Sequence, residues 1–252
     1  MKNRTIAVTN QKGGVGKTTT AVNLAAFLAA DKASVLLVDL DPQGNATSGL
    51  GLDKQASVTT YEMLLGKAQL DEVVQETNRK DLYILPANAN LAAAEVELVG
   101  LEHREFRLRD ALKNANYDYI IIDCPPALGL LTVNALTAAD SLLIPVQTEY
   151  YALEGLGQLL STVQRVRQTI NPALDLLGVL LTMFDKRTTL SEQVMQELKE
   201  HFGDKVFQTA IPRNIRLAEA PSFGKTVAEH DKWSKGARAY KQLAKEVSKR
   251  VG

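Results

Sequence analysis

Residues 10–20 read Asn-Gln-Lys-Gly-Gly-Val-Gly-Lys-Thr-Thr-Thr, directly after a strand-like run at 5–10 and at the opening of a helical pattern over 18–30. A glycine-rich turn between a strand and a helix aims backbone amides and the positive end of the helix dipole at one anion, so it demands an α/β framework. Gly16, Lys17 and Thr18 fit the tail of the phosphate-loop pattern G-x-x-x-x-G-K-[ST]. The head does not fit. Gln11 stands where the first glycine belongs, and beside it Lys12 adds a positive charge that the pattern does not ask for. Gly13, Gly14 and Gly16 are expected to adopt dihedrals closed to other residues and to bring amides against the anion. Lys17 would then sit on the β- and γ-phosphates, and the Thr18 hydroxyl would bind Mg²⁺.

The remaining pattern supplies such a framework. Short apolar runs at 34–40, 82–87, 117–126, 141–147, 176–184 and 206–212 read as buried strands, making seven with the first. Helical patterns lie between most of them, at 18–30 and 154–169, with short pieces around 61–65 and 91–99. The alternation predicts a single-domain, mostly parallel twisted sheet with helices on both faces and right-handed crossovers. Ligands of such sheets bind beyond the carboxyl ends of the strands, where all the chemical motifs fall. The chain has 252 residues, no repeat and no Gly/Ser-rich linker, so one domain over 1–252 is expected, with no helix-turn-helix ahead of the loop.

Two carboxylate motifs follow the loop. Val-Asp-Leu-Asp-Pro-Gln-Gly-Asn places Asp39 and Asp41 at the end of the second strand, with Asp41 able to swing into the loop and orient or deprotonate an attacking water. An Asp-Pro turn that merely caps a strand is the alternative. In Tyr-Ile-Ile-Ile-Asp-Cys-Pro-Pro, a buried strand aims Asp123 at magnesium, and Pro125 and Pro126 stiffen a loop suited to sensing a γ-phosphate. Cys124, the one cysteine, excludes an internal disulfide and is read as packing, which suits a reducing, cytoplasmic setting. The chain has no apolar signal core at its start and no membrane-length run. Lys and Arg balance Asp and Glu at 29 each, yet residues 213–252 hold ten basic against four acidic side chains. That end suits a nucleic-acid or membrane surface, or is a solvated basic helix.

Lys-Gly-Gly-Val-Gly-Lys-Thr-Thr, Val-Asp-Leu-Asp-Pro-Gln-Gly-Asn-Ala-Thr, the run from Ile120 to Leu136 and Ile-Pro-Arg-Asn-Ile-Arg-Leu-Ala-Glu-Ala-Pro-Ser at 211–222 together resemble the ParA/Soj family of chromosome- and plasmid-partitioning ATPases, within the deviant-Walker-A group that also holds MinD. The likeness covers nearly the whole chain. It implies ATP and Mg²⁺ as cofactors, held by Lys12, Gly13, Gly14, Val15, Gly16, Lys17, Thr18 and Thr19, with Thr18 and Asp123 serving the metal and Asp41 as hydrolytic aspartate. It implies that Lys12 reaches across a nucleotide-sandwich homodimer to the partner's phosphates; a lysine that decorates a loop is the alternative. Pro212 and Asn214 would lie beside the adenine. The ATP-bound dimer would bind double-stranded DNA without sequence preference through Arg187 and Arg216, with Lys225, Lys232, Lys235 and Lys241 extending the patch. A ParB-like centromere-binding protein would stimulate hydrolysis, and the protein would be cytoplasmic and nucleoid-associated.

The strongest rival is a MinD-like membrane-cycling ATPase, which needs bulky apolar anchors on a C-terminal amphipathic helix. The tail offers Tyr240, Leu243 and Val247 among alanines. That face suits packing on the sheet better than holding a bilayer, so no stable membrane association is expected. A nitrogenase-reductase-like protein would need two ligating cysteines, and a bacterial tyrosine kinase a terminal tyrosine cluster; neither is present. A dethiobiotin-type synthetase would need a substrate pocket that no motif marks.

Overall fold

Apolar residues without polar alternation form the central strands β1 (Arg4–Val8), β2 (Val35–Asp39) and β5 (Tyr119–Asp123), and every residue of β2 and β5 is buried. Strands that read this way are covered on both faces. Around them stand β3 (Gln75–Glu76), β4 (Leu82–Leu85), β6 (Ser141–Gln147) and β7 (Asp175–Thr182). The computed structural model describes residues 4–149 and 154–252; the leading Met-Lys-Asn lies outside the described residues. The order across the sheet is β3-β4-β2-β5-β1-β6-β7, parallel throughout except for the antiparallel pairing of β3 with β4. The expected single-domain α/β class holds.

Period-two alternation divides the core between the faces. Ile120 and Ile122 pack with the helices Leu91–Glu97, Leu130–Ala138, Glu154–Thr169 and Thr189–Phe202 on one side. Tyr119 and Ile121 face the helices Lys17–Ala30 and Lys235–Val251 on the other. The first of these, Lys17–Ala30, is buried nearly all round, because it lies between the sheet and the C-terminal helix. Thr20 and Tyr240 share a hydroxyl hydrogen bond of 3.1 Å across that contact.

The C-terminal helix begins at an N-cap, Ser234, whose side chain accepts the Ala237 amide at 3.1 Å. Its Gly236, Ala237, Tyr240, Leu243, Ala244 and Val247 are buried, so the stripe that a bilayer anchor would use is packed inside. Leu243 is fully buried, and Leu243→Ala is expected to lower unfolding free energy by about 2–5 kcal/mol in urea titration. A loss below about 1 kcal/mol would mean the helix is not docked as described.

One expected strand is corrected. Residues 206–212 make only isolated bridges, Val179 to Val206 and Phe184 to Pro212. Phe207 and Ile211 still bond to the β7 backbone at Val179 and Leu181, and the C-terminal helix takes other groups of the run. Glu246 accepts the amides of Gln208 and Thr209 at 2.8 and 3.0 Å, and Arg250 donates to the carbonyls of Leu177, Lys205 and Val206. Side chains here satisfy backbone groups that a ladder would otherwise pair. The antiparallel β3 had no signal, since Gln75 and Glu76 carry no strand pattern.

Candidate active site

Three neighbouring strands end together. In register, Val8 lies beside Asp123, and Asp123 beside Asp39. The loop after Val8 therefore opens directly over two buried carboxylates. Gly14 and Gly16 have φ of +77° and +87°, the left-handed region where a side chain is strained. Gly13 is different: its φ is not positive, and among the described residues a Cβ there would meet nothing within 4 Å, so its place in the loop is not a left-handed backbone need. Gly16 caps the helix Lys17–Ala30 without any side-chain bond, so the first helical amides remain for an anion.

The two lysines point in different directions. Lys17 is 7% exposed, and its Nζ donates to the Lys12 carbonyl at 3.0 Å, inside the loop. Burial lowers its pKa, with Asp123, Cys124 and Asp41 pulling it back up. The Lys12 side chain is 43% exposed, and its Nζ pairs with Glu149 Oε2 at 2.5 Å, at the rim. Val15 is buried, while Thr18 and Thr19 are partly exposed on the first turn.

Asp123 is fully buried, and among the described residues neither of its carboxylate oxygens has a well-aligned hydrogen-bond partner, although the Thr18 hydroxyl lies near enough to favour its charged form. Burial pushes its pKa well above the usual 3.8, the Asp39 carboxylate pushes the same way, and Thr18 and Lys17 oppose. An orphaned buried carboxylate beside a threonine hydroxyl and below an anion cradle is a donor set that a hard, oxygen-seeking divalent cation fits. A carboxyl harder to ionise folded than unfolded stabilises the fold fully below its unfolded pKa and loses that contribution as pH rises through the folded value. In nucleotide- and metal-free protein, Asp123→Asn should therefore raise the melting temperature by roughly a few degrees near pH 8. The gain should vanish near about pH 4. A melting curve unchanged at both values would contradict the assignment of strain to this carboxylate.

Asp39 is also fully buried, with its pKa raised to about 6 by burial against the pull of its hydrogen bonds to Thr47 and Asp41. It turns inward, and Asp41, two residues beyond, lies in the loop after β2 with 8% of its surface exposed. The pair is one carboxylate that holds the loop and one that the loop presents. Burial pushes the Cys124 thiol up and leaves it inert, as its packing role requires.

Several side chains that no motif marks fix the loops. Asn10 donates to the Pro145 carbonyl at 2.7 Å and accepts the Lys12 amide at 3.0 Å. Gln11 donates to the Gly155 carbonyl, and Thr182, at the end of β7, donates to the Val15 carbonyl. Gln11 thus fills the missing glycine's place as a strut. Glu95 accepts the amides of Leu130 and Leu131, capping the helix that follows the Pro125–Pro126 loop. Polar side chains of this kind give no sequence signal beyond their type.

Pro212 lies beside Phe184 just past the carboxyl end of β7, and Asn214 caps the helix Ile215–Glu219 by accepting the Arg216 amide at 3.1 Å. Arg187 and Lys235 line one groove of about 880 Å³, together with Lys186 and Arg213, which were not among the expected DNA-contacting residues. Arg187 is 87% exposed but forked onto Asp185 at 2.9 and 2.7 Å. Arg216 pairs with Glu219 at 2.9 Å and Asp231 at 3.5 Å. Lys225 and Lys232 are exposed, Lys232 over the Trp233 ring. Lys241 stands apart, in a hollow with Phe27, Asp31 and Lys245 at the far end of the Lys17–Ala30 helix.

Residues 3–176 match the family model described as an AAA domain. The chain is 57% identical over 246 residues to the sporulation initiation inhibitor protein Soj of Bacillus subtilis, covering 96% of this chain and 97% of that protein. It is 55% identical over 251 residues to the chromosome partitioning protein ParA of Myxococcus xanthus, covering 98% and 88%. The chain belongs to the ParA/Soj family of chromosome-partitioning ATPases. Among solved structures, a Mycobacterium smegmatis protein described as cobyrinic acid a,c-diamide synthase, with bound ADP and magnesium, superimposes with a TM-score of 0.85 at 41% identity, over 97% of this chain and 93% of that one. Among the described residues no helix of this ParA/Soj-family chain is long and apolar enough to cross a membrane.

Proposed function

We propose that this chain, acting as one ATPase domain, is an ATP-driven partition switch: two copies close face to face on ATP, the dimer holds double-stranded DNA without sequence preference, and hydrolysis releases it. The observation that carries this reading is the division between the two loop lysines, Lys17 turned into its own loop and Lys12 held half-exposed at the rim. A cation at the rim is poorly used on its own nucleotide. It is well placed to meet the phosphates of a facing copy, where like charges concentrate and a cation from each side offsets them. On closing, Lys12 would exchange Glu149 for phosphate oxygen, so the triphosphate decides whether exchange is favourable.

In this reading ATP lies on residues 12–19, with Pro212 and Asn214 beside the adenine, and Thr18 and Asp123 hold magnesium. When bound, magnesium offsets charge on the phosphate oxygens. Asp41 orients the attacking water and takes its proton, while Lys17 and the loop amides stabilise charge that builds on the transferred phosphoryl group. The higher identity to Soj and ParA than to the diamide synthase favours partitioning over amide synthesis. The same reading includes a ParB-like partner that speeds hydrolysis and a cytoplasmic, nucleoid-bound location.

DNA binding is assigned to the Arg187 and Lys235 groove and to Arg216, with Lys225 and Lys232 alongside and Lys241 further out. Both arginines are paired to carboxylates in a single copy, which weakens a monomer's hold on phosphate; dimerisation doubles the number of cations offered. Arg216→Glu should leave nucleotide affinity unchanged and weaken DNA binding. Its log-log salt slope should become shallower by about 0.9 for each DNA phosphate that is no longer neutralised, so by about 1.8 if each copy of the dimer loses one. The reading is tested by titrating plasmid DNA and, separately, liposomes with ATP or ADP. ATP-dependent DNA binding supports it; ATP-dependent lipid binding without DNA binding favours the membrane-cycling alternative.

A further inference from the structure

The segment from Asp39 to Thr47 is a closed ring with Asp41 inside it. Asp39 closes both ends: its Oδ1 accepts the Asp41 amide at 3.2 Å, and its Oδ2 accepts the Thr47 amide at 2.8 Å and the Thr47 hydroxyl at 2.7 Å. Within the ring, Asp41 Oδ1 accepts the Gln43 amide at 2.9 Å and the Asp41 carbonyl accepts the Gly44 amide at 2.8 Å. The Thr47 hydroxyl makes a second bond, accepting the Ala87 amide at 3.0 Å from the stretch after β4. Gly44 touches the same place: at φ +59° its own Cβ would lie 2.6 Å from the Ala87 carbonyl oxygen. Thr47 is fully buried, so both bonds are made away from water.

We propose that Thr47 is a positioning residue for ATP hydrolysis, fixing where Asp41 stands relative to the phosphate loop. Its hydroxyl donates to Asp39 and accepts from Ala87, which fastens the ring to the end of β2 and to the stretch after β4 at once. Phosphoryl transfer depends chiefly on placement, and a displacement of about 1 Å far from the chemistry can cost on the order of 100-fold in rate. Valine at this position keeps the shape but loses both bonds, leaving the Ala87 amide without its acceptor. Serine keeps both. The inference rests on the reading of Asp41 as the hydrolytic group.

The test is steady-state ATPase kinetics on Thr47→Val and Thr47→Ser, with Asp41→Ala alongside. For Thr47→Val, kcat should fall roughly 10- to 100-fold while KM for ATP changes by less than about threefold, and Thr47→Ser should stay within about threefold of the parent. A Thr47→Val kcat within about twofold of the parent overturns the proposal, as does a parallel loss of ATP affinity, which would mark Thr47 as a structural prop. If Thr47→Val does not fold, Gly44→Ala pushes the ring off Ala87 with Thr47 intact. A comparable kcat loss at constant KM supports the proposal, and unchanged kinetics overturn it. Failure of the underlying reading is seen separately, as an Asp41→Ala protein that hydrolyses ATP at the parental rate.

Discussion

Asp41→Ala is expected to bind ATP with near-parental affinity, to hydrolyse it about 10²- to 10⁴-fold more slowly, and to accumulate as a dimer on DNA. The size of the rate effect is that of removing a positioned general base or water-orienting group. Affinity should hold because the anion cradle belongs to other residues: the Gly14 and Gly16 turns, Lys17 and the free amides at the start of the Lys17–Ala30 helix. The fold should tolerate the change as well. Asp41 gives up one hydrogen bond, from the Gln43 amide, while Asp39 keeps the ring closed through Thr47. Single-turnover hydrolysis and gel-filtration mass would check both halves, and a variant that stays monomeric with ATP would count against the switch.

Lys12→Ala is expected to act on the other half of the cycle. A charge-assisted hydrogen bond contributes about 1.5–3 kcal/mol, and a two-fold dimer makes the contact twice, so its loss should weaken dimerisation by roughly 10²- to 10⁴-fold. The gain forgone with Glu149 is small by comparison, since a half-exposed pair contributes about 0–1 kcal/mol. In the proposed switch, exchange of a rim carboxylate for a partner's triphosphate would be favourable, and exchange for a diphosphate that presents fewer charges much less so. Folding stability should move by less than about 1 kcal/mol in urea, because only that rim pair is lost from the single copy.

The central strands, the strand-turn-helix geometry of the glycine-rich loop and the buried place of Asp123 at a strand end were legible because their physics is local. Short uninterrupted apolar runs bounded by turns favour doubly covered strands, and a Gly-rich turn between strand and helix sets its own backbone geometry. Legibility stopped where long-range satisfaction took over. Residues 206–212 have strand composition, yet Glu246 and Arg250, some 40 positions later, take their backbone groups. Gly13 looked like a backbone requirement, yet its φ is not positive. The place of Asp41 in the loop past the strand end was legible, but the hydrogen bonds by which Asp39 holds Thr47, eight residues on, were not. The basic side chains were legible as charge and not as pairing. Asp185 on Arg187 and Glu219 with Asp231 on Arg216 appear only once the loops are folded.

Sedimentation velocity on Asp41→Ala with and without Lys12→Ala, each in ATP and in ADP, reaches the central claim most directly, because slow turnover keeps the triphosphate intact during the run. The account predicts a dimer for Asp41→Ala in ATP, a monomer in ADP, and a monomer for the double variant in either nucleotide at the same concentration. A double variant that dimerises in ATP as tightly as Asp41→Ala would show that Lys12 does not join the two copies.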